Sequence, residues 1–301
     1  MKIAYLILAH DTPKQLQRLI TALSSNSSSF FIHLDRKSNF ADFSLIKGDN
    51  ICFTQERVPV FRSDYSHIEA ILILIKIALS DLRHFDRFVL LSATDYPLRS
   101  TLYIERFFEN KPDKEFIDLV AMPNKEHWNP ISRLTTYWYR PTDPWITVII
   151  RKVLKRVGFL PRERDYRHYL GELVPYAGSE WWALSREACE YILTFMQEEI
   201  PVVNFFKHTI CPQESLFQTI LGNSFFKPRI VRGLTYADWM GSVKGHPAYI
   251  KETHLPFFQS TASFPPDAVL GDGEMLFARK FSDDSEDLVA KLEKQRNEPA
   301  G

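Results

Sequence analysis

Two rhythms of apolar and polar positions alternate through the first 122 residues. Ile3–Ala9 is an unbroken apolar run, the pattern of a strand covered on both faces. Pro13–Leu23 then repeats apolar positions at helical spacing behind an early proline. Residues 30–34 and 51–54 read as a second and third strand, and 88–91 and 116–121 as a fourth and fifth. Between them, 64–79 predicts a long helix, apolar around most of its circumference, and 100–108 a shorter one. Apolar strands alternating with helices predict an α/β fold on a mostly parallel sheet flanked by helices.

In such a sheet, ligands bind beyond the carboxyl ends of the strands. The residues there are His10 and Asp11 after the first strand, Asp35 and Arg36 after the second, and Thr94 and Asp95 after the fourth. A rim this polar is expected to hold a ligand, although turn and cap chemistry alone would account for Asp11 and Asp95. Residues 124–175 are less regular and rich in Arg, Tyr, Trp and Pro, suited to wrapping the sheet edge or holding an acceptor. Regularity returns with a strand at 180–184, helices at 186–196 and 213–221, and a strand at 230–236. Residues 244–272 carry many Pro and Phe with weak periodicity, and the charged stretch after 283 is expected to fray. Neither a repeat nor a low-complexity linker occurs. One composite domain over 1–285 is therefore expected, with halves at 1–122 and 123–285 and a charged tail at 286–301.

A chain of 301 residues can bury a sizeable core, and 45% hydrophobic with 25% charged residues is ordinary for a soluble globular protein. The formal net charge is zero, so no global field draws the chain to nucleic acid. Charge is uneven locally: 151–167 holds seven Arg or Lys residues against Glu163 and Asp165. That run reads either as a solvated helical face or as a patch for anionic lipid, a lipid-linked acceptor or polymer. Three cysteines with no C-x-x-C spacing argue against a disulfide framework or structural zinc, and favour a reducing compartment. The first apolar run is too short to span a bilayer and lacks a cleavage site. The expected address is the cytoplasm, with 151–167 offering peripheral contact at the inner membrane face.

The chain lacks G-x-G-x-x-G after its first strand, a P-loop, G-x-S-x-G and H-E-x-x-H, which disfavours dinucleotide, P-loop, nucleophile-elbow and zincin chemistry. Nor are two Asp residues anywhere separated by one position, the pair that often holds a divalent ion on a nucleotide-sugar diphosphate. If the chain binds such a donor, protein cations must neutralise the diphosphate. Arg279 and Lys280, flanked by aromatics in Phe-Ala-Arg-Lys-Phe, supply a fork donor and a point charge, although alone they read as a surface basic pair. Pro212 suits a helix start, placing Glu214 in its first turn, where it would serve as a cap or, if partly buried, as a general base. Glu180 precedes Trp181 and Trp182, which on a strand point to opposite faces, one to the core and one to a ligand.

These segments, in this order, resemble the core-2/I-branching β-N-acetylglucosaminyltransferases and the peptide O-xylosyltransferases, glycosyltransferase family 14. The matching stretches are AYLILAH (4–10), FFIHLDRKS (30–38), LLSATDYPLRS (90–100), GSEWWALSREACEYIL (178–193), CPQESLFQTIL (211–221), YADWMG (236–241) and LFARKF (276–281). The resemblance implies a GT-A-type fold whose first half binds nucleotide, a UDP-sugar donor carrying GlcNAc or xylose, inversion at the anomeric carbon and no metal cofactor. It also implies roles. Glu214 is the general base, Asp35 contacts the uridine part, Arg279 and Lys280 hold the diphosphate, and Glu180, Trp181 and Trp239 flank the transferred sugar and acceptor. His10 and Asp95 join the donor site from the rim. The acceptor is a hydroxyl of a saccharide, glycolipid or protein, in polysaccharide or glycoconjugate synthesis. Animal members carry disulfides and a membrane anchor, so the chain resembles a short bacterial relative, and 245–252 offers only Lys251 and His246 where some members place a further diphosphate-binding Arg. Two other classes remain: a non-catalytic carbohydrate- or nucleotide-sugar-binding protein, and a membrane-surface assembly factor.

Overall fold

A computed structural model describes residues 1–127, 130–242, 245–260 and 263–297. The chain begins β1 (Ile3–Ala9), α1 (Pro13–Leu23), β2 (Ser28–Leu34), β3 (Ile51–Phe53), α2 (Ser66–Ser80), β4 (Arg87–Ser92), β5 (Asp95–Pro97), α3 (Thr101–Glu109), β6 (Glu115–Phe116) and β7 (Val120–Ala121). β1 lies parallel to both β2 and β4, and β2 parallel to β3. Side chains of β1 alternate between two cores: Ala4 and Leu6 pack with α2, while Ile3, Tyr5 and Ile7 pack with α1 and α3. Burial on both faces is why this strand has no polar position.

The second half runs α4 (Ser132–Thr135), α5 (Trp145–Arg156), α6 (Tyr166–Leu170), β8 (Tyr176–Ala177), β9 (Ala183–Ser185), α7 (Arg186–Glu198), α8 (Ile200–Lys207), α9 (Leu216–Gly222), β10 (Ile230–Val231), β11 (Thr235–Ala237), α10 (Leu255–Ser260), β12 (Phe277–Arg279) and α11 (Glu286–Asn297). The main sheet has the order β10-β6-β9-β4-β1-β2-β3. It is parallel except for β9, which runs antiparallel to β4 and β6. Fully buried Arg87 ties these strands: it donates to the Lys111, Pro112 and Lys114 carbonyls and faces Glu115, which accepts from the Ser185 amide and hydroxyl. A second sheet, β11-β12-β5, hangs from the carboxyl end of β4, because β5 starts three residues after β4 ends.

Three departures from the sequence expectations have physical causes. The strand expected at 116–121 splits into β6 and β7, and that at 230–236 into β10 and β11. Both break at one place, where the Gly233 amide donates to Asp118 Oδ1 at 2.8 Å instead of to a strand neighbour. Over its described part, 284–297, the charged stretch does not fray: Leu288, Val289 and Leu292 of α11 are buried against Tyr96 and Phe281, and residues 298–301 of the expected tail lie outside the described residues. The Tyr96 hydroxyl donates to Glu293 at 2.7 Å, and Arg18 binds the Asp283 carbonyl at 2.6 Å. Charge hid a one-sided apolar face of only three residues. Finally, the described residues of 124–175 contain three helices, of which α5 buries none of its residues.

Candidate active site

The cationic side of the site is built by β12. Its backbone is pinned by buried Phe277 and Phe281 and by two hydrogen bonds, Phe281 N–H to the Thr94 carbonyl at 2.7 Å and Ile250 N–H to the Lys280 carbonyl at 2.8 Å. Register places Arg279 opposite Asp95 on β5 and Ala237 on β11. The Arg279 guanidinium lies 4.0 Å from the Trp181 ring centroid, with Nε 3.5 Å from Asp95 Oδ1. A stacked, partly desolvated guanidinium keeps its fork aimed in one direction.

Asp95, expected at the ligand rim, is fully buried. Its Oδ2 accepts from the Ser92 amide at 2.9 Å, and burial pushes its carboxyl up to about 6, opposed chiefly by Arg279. Asp95 therefore positions Arg279 from beneath and does not itself reach a donor. Burial first, then the neighbouring Arg279 charge, lowers the Lys280 ammonium below its ordinary value, while Asp11 at the end of β1 pulls the other way. Arg62, in the loop before α2, donates to the Gly245 carbonyl at 3.1 Å and adds its field to those of Lys280 and His246.

The carboxylate side lies on the other flank. Cys211 takes a left-handed conformation (φ 50°), held by its amide on the Ser63 carbonyl at 3.0 Å, and throws the chain into a 3-10 turn over Pro212–Glu214. The expected continuous helix over 213–221 is interrupted at Ser215 (φ −146°), and α9 starts at Leu216. Glu214 thus sits outside the α-helix and finds its charge partner in Arg133 of α4, Nη1 to Oε2 at 2.8 Å. Burial holds the Glu214 carboxyl above its ordinary value; Arg133 opposes this and Glu180 reinforces it.

Residues 178–181 join the two sides. The Gly178 amide donates to the Glu214 carbonyl at 2.9 Å, and Trp181 lies under Arg279. Three residues of extended chain span at most about 10 Å, and the charge of Glu180 within this segment bears on both Glu214 and Asp95. Between them, Glu180 Oε1 meets His67 Nδ1 at 2.9 Å. Burial would lower the His67 pKa, but Glu180 outweighs it and raises the imidazole above its ordinary value. Trp182 turns away into the core, edge-on to Phe217 at 6.1 Å.

With this arrangement in place, sequence comparison is decisive: residues 3–260 match the Core-2/I-Branching enzyme family. The chain belongs to that family. Its members are glycosyltransferases. This Core-2/I-Branching chain is 29% identical over 240 residues to xylosyltransferase 2 of Rattus norvegicus, covering 74% of the chain and 25% of the relative. Against xylosyltransferase 2 of Homo sapiens it is 27% identical over 263 residues, covering 79% and 27%. The chain thus spans about a quarter of the length of these relatives. Among solved structures, a 4-diphosphocytidyl-2C-methyl-D-erythritol synthase overlaps at TM-score 0.34 and 8% identity, covering 70% of this chain and 88% of that one. No helix of the described residues is long and apolar enough to cross a membrane.

The remaining residues that the family resemblance singles out lie just beyond the ends of β2, β1 and β11. Asp35 directly follows β2, is buried, and accepts from the Lys37 amide at 2.9 Å, with Lys37 Nζ 3.4 Å from its other oxygen. His10 is exposed at the end of β1, 3.2 Å from Asp11. Trp239 is 58% exposed and follows Ala237, the register partner of Arg279, by two residues. Sequence reasoning missed Arg133, His67 and Arg62. Arg133 sits in the stretch without periodicity. His67 had one available signal, a polar residue in the first turn of a mostly apolar helix.

Proposed function

We propose that the chain transfers a sugar from a UDP-sugar to an acceptor hydroxyl by a single displacement with inversion, without a divalent cofactor. The observation that carries this reading is the placement of Glu214 and the Arg279–Lys280 pair at the two ends of one short segment, 178–181. Glu214 accepts the hydroxyl proton. Arg133 holds Oε2, leaving the other oxygen for that task. Burial makes the carboxylate a stronger base than an exposed one. The acceptor oxygen forms a bond to the anomeric carbon as the bond to the diphosphate oxygen breaks, and the electron pair leaves with UDP.

Negative charge on the leaving diphosphate falls beside Arg279 and Lys280, which stabilise it most when it is fully developed. These cations are fixed before substrate arrives, by Trp181 and Asp95 beneath Arg279 and by backbone bonds around Lys280. Arg62 is the candidate for the third cation, supplied from a different loop than the one where some relatives place an additional Arg. Glu180, oriented by His67, faces the sugar hydroxyls, Trp239 the acceptor, and Asp35 with His10 the nucleoside end. GlcNAc and xylose are the first donors to test. UDP release from a panel of UDP-sugars, with and without EDTA, tests the reading. Retained transfer in EDTA is expected; a strict manganese requirement, or no UDP release from any donor, overturns it.

A further inference from the structure

The helix α5 is amphipathic the wrong way round for a part of the core. Surface helices normally turn their apolar stripe inward. In α5 the half-covered positions are Val148, Arg151 and Leu154, and Arg151 lies 4.0 Å over the Tyr137 ring. Trp145, Ile146, Ile149, Ile150 and Val153 all face solvent, each at least half exposed and Trp145 71% exposed. At 100° per residue these five side chains fall on one arc of the helix, opposite the covered positions. Phe159, just beyond the helix, is 80% exposed. By the same count Lys152 lies just outside this arc beside Trp145, Arg156 lies at its edge between Trp145 and Ile149, and Lys155 falls on the covered side; all three are exposed. Arg164, from the same basic run, does not join them: its guanidinium donates to the Phe205 and His208 carbonyls, 3.8 Å over the Phe205 ring.

We infer that α5 is a membrane-docking surface that lies in the headgroup region of an anionic bilayer, with Trp145, Ile149 and Val153 inserted and Lys152 and Arg156 on the lipid phosphates. Contiguous exposed apolar side chains mark an interaction surface, and a basic flank selects a negatively charged occupant. A bilayer satisfies both along the length of a single exposed helix.

Co-sedimentation with phosphatidylglycerol/phosphatidylcholine vesicles, against phosphatidylcholine alone, tests this. Binding to the anionic vesicles that weakens with salt is expected. Lys152→Ser with Arg156→Ser should lower partitioning about 30-fold, and Ile149→Ser with Ile150→Ser about 10-fold or more. All four positions are exposed, so circular dichroism melts should match the parent. Three outcomes overturn the inference: no binding to anionic vesicles at low salt, equal binding by parent and variants, or a parent dimer in sedimentation velocity that the Ile149→Ser, Ile150→Ser protein loses, which would give the face to a second copy.

Discussion

Gly178→Ala tests whether the segment between Glu214 and Arg279 is as tightly set as its hydrogen bonds imply. A Cβ on Gly178 would lie 2.2 Å from the Asp118 carbonyl oxygen, 2.7 Å from its carbon and 2.8 Å from its Cβ. Ordinary contact needs about 3.5 Å, so one backbone must retreat by roughly 1 Å. Asp118 is held, because its carboxylate accepts the Gly233 amide and its neighbours pair on both sides in β6 and β7. The 178 segment therefore moves, and its 2.9 Å bond to the Glu214 carbonyl is lost. Overpacking of this kind costs about 1–3 kcal/mol of stability. A displacement near 1 Å at a catalytic group costs on the order of 100-fold in rate. The assay is kcat/KM with a UDP-sugar and acceptor, read beside a thermal melt. Gly171→Ala is the control: nothing lies within 4 Å of its added Cβ, but φ is +56°, so it should cost about 1–2 kcal/mol of stability and leave the rate unchanged. A folded Gly178→Ala protein that turns over at the parent rate would refute the geometry argued for Glu214.

Lys280→Ala leaves the Asp95–Arg279–Trp181 stack in place and should weaken UDP binding about 10-fold or more by calorimetry, since a charge-assisted contact is lost. Unchanged affinity would take Lys280 off the diphosphate. The base works only when ionised, so the rate should fall as pH drops through the Glu214 pKa, with a midpoint above the ordinary carboxylate value because burial raises it. Arg133→Met removes the main opposing influence and should move that acid limb to still higher pH; an unmoved limb would separate Arg133 from the base.

The sheet was legible because its physics is local. β1 is apolar at every position since both faces are covered, and Phe277 and Phe281 announce a buried frame around two cations. What stayed hidden depends on long-range encounters. Asp95 reads as a rim residue from its place after β4, yet a two-residue turn folds it under Arg279 as part of a second sheet. Arg133 meets Glu214 across 81 residues in a stretch with no period to read. The hydrogen bond between Gly233 and Asp118 breaks two strands at once, and neither residue signals it alone. Motif order, rather than periodicity, groups Glu214, Glu180 and Arg279 in the sequence.

Glu214→Gln is the most direct measurement, because it keeps the shape and hydrogen bonding of the side chain while removing its ability to take a proton. Calorimetry should show UDP binding at the parent affinity, and single-turnover kinetics should show transfer slowed by at least about 100-fold. Transfer at the parent rate would mean that another group deprotonates the acceptor.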